Sequence, residues 1–238
     1  MIQSIKNYAS HIFSQWAVDE RKSFLQELDQ DKQAVLLDLG CGDGSLTMQF
    51  AKKIKAKKII GVELGGIRSK SANRITIVPK NLNKNMPFKS NTFDVVVSHF
   101  SIEHLYDTGK FISETKRVLK KGGYTVVATD NLSAWPNIIS LFFGWQPFSS
   151  AGGVAKRSLG NPLAIRSSEE DHHDLSLGEL SHNKVLAYQM LVDAYKEYGF
   201  IVEKVVGVGY FPFYGFFSNL LANLDKRHSH FLILKARK

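Results

Sequence analysis

The sequence predicts a doubly wound α/β fold whose sheet is mostly parallel, and three observations carry that prediction. Short, uninterrupted apolar runs alternate with segments whose apolar residues recur every three to four positions. The first apolar run leads directly into a glycine-rich turn, Gly40-Cys41-Gly42-Asp43-Gly44. The chain has 238 residues, 44% of them hydrophobic, which is enough for one α/β domain with an insertion but not for several independent modules.

Ile2, Ile5, Ala9, Ile12, Phe13 and Trp16 form one apolar stripe at helical spacing, and a second short helix is expected from Glu20 to Leu28. Together they make a helical segment over residues 1–30, ahead of a main domain over 31–238. The period then changes. Ala34 to Leu39 is a continuous apolar run broken only by Asp38, as a strand buried on both faces should be. Ser45 to Ile54 follows as a helix, with Leu46, Phe50, Ala51 and Ile54 on one face. Further strands are expected at Lys58–Val62, Ile75–Val78, Phe93–Ser98 and Tyr124–Thr129. A helix over Gly109–Leu119 is expected to be capped by Lys121-Gly122-Gly123, since glycine tolerates the left-handed cap. Regular patterning stops between Asp130 and about Lys184, a stretch too long for an ordinary connection, so residues 131–184 are read as an insertion or lid. A helix around Tyr188–Tyr195 closed by Gly199, and strands at Phe200–Val206 and His230–Leu234, complete the chain; the last is expected as an antiparallel hairpin strand at the end of the sheet.

Composition excludes several classes of function. The single cysteine, Cys41, permits no intrachain disulfide and no cysteine-based zinc site, and points to a reducing compartment. No apolar run approaches the roughly 20 residues that span a bilayer, and Met1 to Glu20 lacks a signal-peptide pattern, so a cytoplasmic protein is expected. The net charge of +9 is scattered over Lys52–Lys58, Lys116–Lys121 and the carboxyl-terminal tail, without the stripe or motif of a nucleic-acid surface.

The turn after the first strand carries the chemistry. Its glycines let the backbone bend sharply and approach a ligand with no Cβ in the way. The helix starting near Ser45 aims amide donors at that ligand. The third glycine falls one place early for a dinucleotide fingerprint, and Asp43 would repel a pyrophosphate, so a ligand with a cationic part fits better than a nicotinamide dinucleotide.

On these residues the sequence resembles the class I S-adenosylmethionine-dependent methyltransferases, and more narrowly their small-molecule (type 11) group. Asp38, Gly40, Gly42 and Gly44 match the family's acidic-x-G-x-G-x-G turn. Glu63 matches the carboxylate at the end of the second strand, and Arg117-Val118-Leu119-Lys120-Lys121-Gly122-Gly123 resembles R-V-L-K-P-G-G with Lys121 in place of proline. The resemblance implies a Rossmann-like fold and S-adenosylmethionine as cofactor. It implies that Gly40, Cys41, Gly42 and Gly44 cradle the cofactor beside Asp38. Glu63 and Leu64 would hold the ribose, Asn81 and Leu82 the adenine, and Ser98 and His99 would lie near the methionine moiety. Thr129-Asp130-Asn131 and Ser181-His182-Asn183-Lys184 resemble, more loosely, segments that a subset of these enzymes carries around the acceptor pocket.

The expected reaction is methyl transfer to an oxygen or nitrogen of a small or medium-sized metabolite, with an apolar or lipid-linked part compatible with the sequence. A base is needed only for a hydroxyl or a protonated amine. Of the histidines, His104, just after the fourth strand, and His182, at the end of the insertion, are the catalytic candidates. No metal is expected: His172-His173 with His182, with Asp171 or Asp174, match no known ligand spacing. Two aromatic segments, Leu141–Trp145 and Tyr210–Phe217, could line an acceptor pocket, pack a lid or touch a membrane surface. An amino-directed base methyltransferase is disfavoured because Ser98-His99-Phe100-Ser101 lacks the prolines of its motif. An RNA-directed enzyme and a non-catalytic S-adenosylmethionine-binding module remain as alternatives.

Overall fold

In the computed structural model, which describes residues 2–65, 74–150, 160–163 and 182–238, seven strands form one sheet in the order β3-β2-β1-β4-β5-β7-β6. The strands are β1 (Val35–Leu39), β2 (Lys58–Glu63), β3 (Thr76–Pro79), β4 (Phe93–His99), β5 (Leu119–Asp130), β6 (Ile201–Val208) and β7 (Phe231–Arg237). The helices are α1 (Ile2–Gln26), α2 (Ser45–Ile54), α3 (Thr108–Val118), α4 (Trp135–Phe142), α5 (Tyr188–Glu197) and α6 (Gly215–Leu224). The strands are laid outward from β1 to β3 and then from β4 on the other side of β1, and this switch in strand order opens a crevice at the carboxyl ends of the parallel β1 and β4. Only β7 runs against its neighbours: Asp130 of β5 and Val208 of β6 both lie level with Phe231.

Each face of the sheet has its own core. On one, Phe24 and Leu28 of the amino-terminal segment and Phe50, Ala51 and Ile54 of α2 cover Leu36, Val95 and Val97. On the other, Phe111 and Val118 of α3 and Leu191 and Tyr195 of α5 cover Leu37, Val96 and Val127. Burial on both faces explains why β1 and β4 read as continuous apolar runs.

Four expectations change. The two amino-terminal helices are one, α1, whose stripe Ile12, Trp16, Glu20 and Phe24 continues at four-residue steps into the sheet. The pair Gly122-Gly123 does not cap α3. That helix ends at Val118, Leu119 is already extended, and the glycines lie inside β5, where pairing with β4 slips between Phe93 and Val95. A Cβ on Gly123 would lie 2.8 Å from the Asp94 carbonyl oxygen, so this irregular strand, rather than a helix end, requires glycine. The stretch after Asp130 contains a helix, α4, and the aromatic stretch before β7 contains another, α6. Both pack small or polar residues inward, Asn137 and Ser140 in α4 and Ser218 and Ala222 in α6.

Candidate functional site

The turn after β1 is held open by backbone conformation. Gly40, Gly42 and Gly44 have φ of 84°, 52° and 78°, where side chains bearing a Cβ are disfavoured. The amides of Gly40 and Cys41 both donate to the Val62 carbonyl, which clamps the turn to β2. A Cβ on Gly40 would collide with the Ser101 hydroxyl, whereas one on Gly42 would meet no atom within 4 Å. Gly40 is therefore required by packing, and Gly42 borders the open crevice.

Glu63 closes the neighbouring strand and accepts hydrogen bonds from the amides of Gly42 (2.8 Å) and Leu64 (2.8 Å). Its carboxylate is thus fixed at the rim, and each oxygen retains a second lone pair. Asp38 is buried and accepts from the Thr47 hydroxyl at 2.6 Å, while its Oδ1 has no protein partner. Burial pushes its pKa up to about 6, with the Thr47 bond opposing. Cys41 is buried against Gly61, and burial pushes its thiol up to about 12, so it fills space rather than acting as a nucleophile.

The remaining cofactor-side candidates divide. Asn81 folds its side chain back to accept from the Asn83 amide at 2.8 Å, and Leu82 is buried in the core beside Leu39 and Val62. Ser98 is fully buried, and its hydroxyl donates to the Leu39 carbonyl, tying β4 to β1. His99 meets Glu20 of α1, Nε2 to Oε2 at 2.9 Å, and packs edge-on against Phe24 and Phe100.

The two catalytic candidates come together although the sequence separates them widely. His104 ends a 3₁₀ turn, Ile102–His104, just after β4, and its ring centroid lies 4.9 Å from that of His182. Asp130, the last residue of β5, lies 3.2 Å from Nδ1 of His182, which also donates to the Ser149 carbonyl. Nδ1 faces only acceptors and therefore carries a proton, which places the lone pair of the neutral ring on Nε2. Glu103 is fully buried beneath the pair; its Oε2 accepts from the Thr129 hydroxyl at 3.1 Å and its Oε1 has no partner. Burial and the neighbouring Asp130 charge push Glu103 up to about 8. Burial pushes Asp130 up to about 6, against the pull of the His182 ring. Asn131 is structural: its amide group donates to the Arg227 and Ser229 carbonyls. His172 and His173 lie outside the described residues.

Sequence reasoning passed over Glu20, Glu103 and His230. Glu20 had a signal: it interrupts the apolar stripe of α1 at a position buried to 1% exposure. Glu103 and His230 had none, because only packing shows them buried with an unpartnered oxygen and an unpartnered Nδ1.

A family model described as "Methyltransferase domain" matches residues 37–127. Tocopherol O-methyltransferase of Arabidopsis thaliana is 32% identical over 120 residues, 45% of this chain and 34% of that protein, so the chain spans about a third of the plant relative. Demethylmenaquinone methyltransferase of Lactiplantibacillus plantarum is 26% identical over 191 residues, 76% of each chain. A solved structure from Listeria monocytogenes, described as a putative S-adenosylmethionine-dependent methyltransferase, superposes with a TM-score of 0.62 at 17% identity, over 94% of this chain and 99% of that one. At that identity the superposition shows a shared fold.

Proposed function

We propose that this chain, whose residues 37–127 match a methyltransferase-domain model, is a class I S-adenosylmethionine-dependent methyltransferase that transfers a methyl group to an oxygen or nitrogen of a small or medium-sized acceptor with an apolar part. The observation that carries the reading is the convergence of His104, His182 and Asp130 at the same sheet edge as the glycine turn.

The residues present fit S-adenosylmethionine. Gly42 leaves open space at the turn, Glu63 offers a fixed carboxylate for a ribose diol, and the unpartnered Asp38 Oδ1 suits a cationic group. When bound, the cofactor supplies an activated methyl group on a positively charged sulfur. The protein then has to position the acceptor, exclude water and accept a proton. Asp130 and the Ser149 carbonyl hold Nδ1–H of His182, which leaves Nε2 to take the proton from an acceptor hydroxyl or ammonium. His104 packs against that ring and limits its rotation.

An apolar acceptor is favoured by the aromatic surroundings of this edge, where Phe13 packs against Phe148 and His230. The names of the plant and bacterial relatives, tocopherol and demethylmenaquinone methyltransferases, agree with that class.

A labelled-methyl assay on fractionated cell extract, with mass identification of the product, tests the reading. His182→Ala is expected to lower turnover by about 10²–10⁴-fold while leaving S-adenosylmethionine affinity within about twofold of wild type. Wild-type turnover in that variant would remove His182 from the reaction.

A further inference from the structure

α6 is built inside out for a helix in water. Its buried residues are Ser218 and Ala222, while Phe216 (75% exposed), Phe217 (63%), Leu220 and Leu224 (76%) face solvent. At about 100° per residue these four fall on one stripe spanning roughly a quarter of the helix circumference, opposite the face that packs on the sheet. α4 repeats the arrangement: it buries Asn137 and Ser140 and exposes Ile139 and Phe142, the latter at 84%. The first residue of α4 reaches the segments that flank α6: the Trp135 indole donates to the Tyr210 hydroxyl at 2.7 Å, and its ring lies 4.6 Å from that of His228, tilted by 30°.

Beside the α6 stripe, a polar cavity of about 320 Å³ lies between α1, β6 and α6. Asn219 and Asn223, on the edge of α6 next to Phe216 and Leu220, form one wall, and Lys22, Lys204 and Lys226 contribute positive charge. Lys204 is paired with Glu27 at 2.6 Å, and Asp19 accepts from the Asn219 amide at 3.5 Å. With Lys204 and Glu27 paired, the lining retains Lys22 and Lys226 against Asp19. The whole chain carries +9.

We propose that the α6 stripe docks on an anionic phospholipid bilayer, with Phe216, Phe217, Leu220 and Leu224 entering the acyl boundary and the lysine-lined cavity receiving a lipid phosphate headgroup. An exposed aromatic and leucine stripe flanked by lysines is the chemistry of an interfacial helix. A contiguous apolar face of this kind is otherwise a liability for a protein in water. Charge complementarity selects the anionic leaflet, since each lysine near such a surface adds to the attraction. The position also suits the reaction. β6 ends at Val208, level with Asp130 on the far side of β7, so the segment leading into α6 leaves the same end of the sheet as Asp130 and its His182 contact. The corollary that an apolar acceptor reaches the crevice from the bilayer rests on the function proposed above; the docking itself does not.

Co-sedimentation of the full chain, without cofactor or acceptor, tests the docking. The vesicles are phosphatidylcholine alone, and phosphatidylcholine mixed in equal parts with phosphatidylglycerol. Wild type is expected to sediment with the mixed vesicles and much less with the neutral ones. Phe216→Ser/Phe217→Ser should lose at least about tenfold in apparent affinity. Lys22→Glu/Lys226→Glu should lose roughly tenfold or more, and with it the preference for anionic vesicles. Unchanged melting temperatures would show that both variants fold. Independently of any variant, amide hydrogen exchange in wild-type α6 should slow on adding mixed vesicles. Wild type remaining in the supernatant with both vesicles, the phenylalanine variant binding like wild type, or unchanged exchange in α6 would each overturn the proposal. A wild-type dimer that this variant splits, with no vesicle binding, would assign the stripe to a second copy of the chain and overturn it equally. Methyl transfer enters none of these readouts, so failure of the functional reading would not be mistaken for failure of the docking.

Discussion

α2 and α6 are both ten-residue helices against the same sheet, yet they present opposite surfaces. α2 buries Phe50, Ala51 and Ile54 and turns Lys52 to water, whereas α6 buries Ser218 and Ala222 and turns its phenylalanines out. The contrast extends to their neighbours. The β1–α2–β2 side is a clamped turn whose polar groups are mostly partnered. The side formed by β5 and the 3₁₀ turn after β4 gathers Asp130 and His182 near the fully buried carboxyl of Glu103, whose Oε1 lacks a partner. One region is a turn closed by its own hydrogen bonds, and the other keeps apolar and ionisable groups in places where stability alone would not put them.

The comparison can be broken in four ways, from the largest expected effect downward. Phe50→Ala should cost about 3–5 kcal/mol of stability in urea unfolding, because it empties a fully buried position under α2. A loss below about 1 kcal/mol would mean that α2 is not the load on the core that its packing implies. Glu63→Ala should weaken S-adenosylmethionine binding by roughly 1–3 kcal/mol in calorimetry, through lost charge-assisted hydrogen bonds and a loosened turn. If affinity held and only acceptor use changed, Glu63 would belong to the other side of the comparison.

The third effect depends on pH. The folded state raises Glu103 from an ordinary 4.5 to about 8, so it binds that proton more tightly than the unfolded chain does. This contribution to stability is fully present below about 4.5 and is lost as pH rises through about 8. Glu103→Gln keeps an acceptor for Thr129 but cannot ionise. Its melting temperature should match wild type at about pH 5 and exceed it by a few degrees at about pH 9. A difference independent of pH would remove the buried charge as its cause. The smallest effect is Phe216→Ser, which should change stability by no more than about 0.5 kcal/mol, the range for exposed positions. Set against Phe50→Ala, it separates a phenylalanine that holds the fold from one that the fold merely displays.

Much of this was legible in the residues. The glycine turn, the carboxylate closing β2 and the parallel order of strands follow from local spacing, because period and glycine position report backbone conformation directly. Gly122-Gly123 misled because glycine marks a bulge as readily as a helix cap, and only the Asp94 carbonyl decides between them. Asn81 and Ser98 had the right chemistry and position, but their side chains engage Asn83 and Leu39 instead of standing open. α6 was hidden for the opposite reason: its pattern is amphipathic, but the direction of a stripe cannot be read without the surface it packs on.

The sequence by itself determined where the backbone must bend after β1 and which runs are strands, and its glycine spacing with Asp43 set the expectation of a ligand with a cationic part over a dinucleotide. Each of these depends on dihedral preference or on side-chain charge within a few residues. Tertiary structure alone decided that His182 would stand between His104 and Asp130, that Glu20 of the first helix would reach His99, and that the phenylalanines of α6 would face outward. Those outcomes depend on which distant elements share a sheet edge, and on which face of a helix the sheet has already claimed.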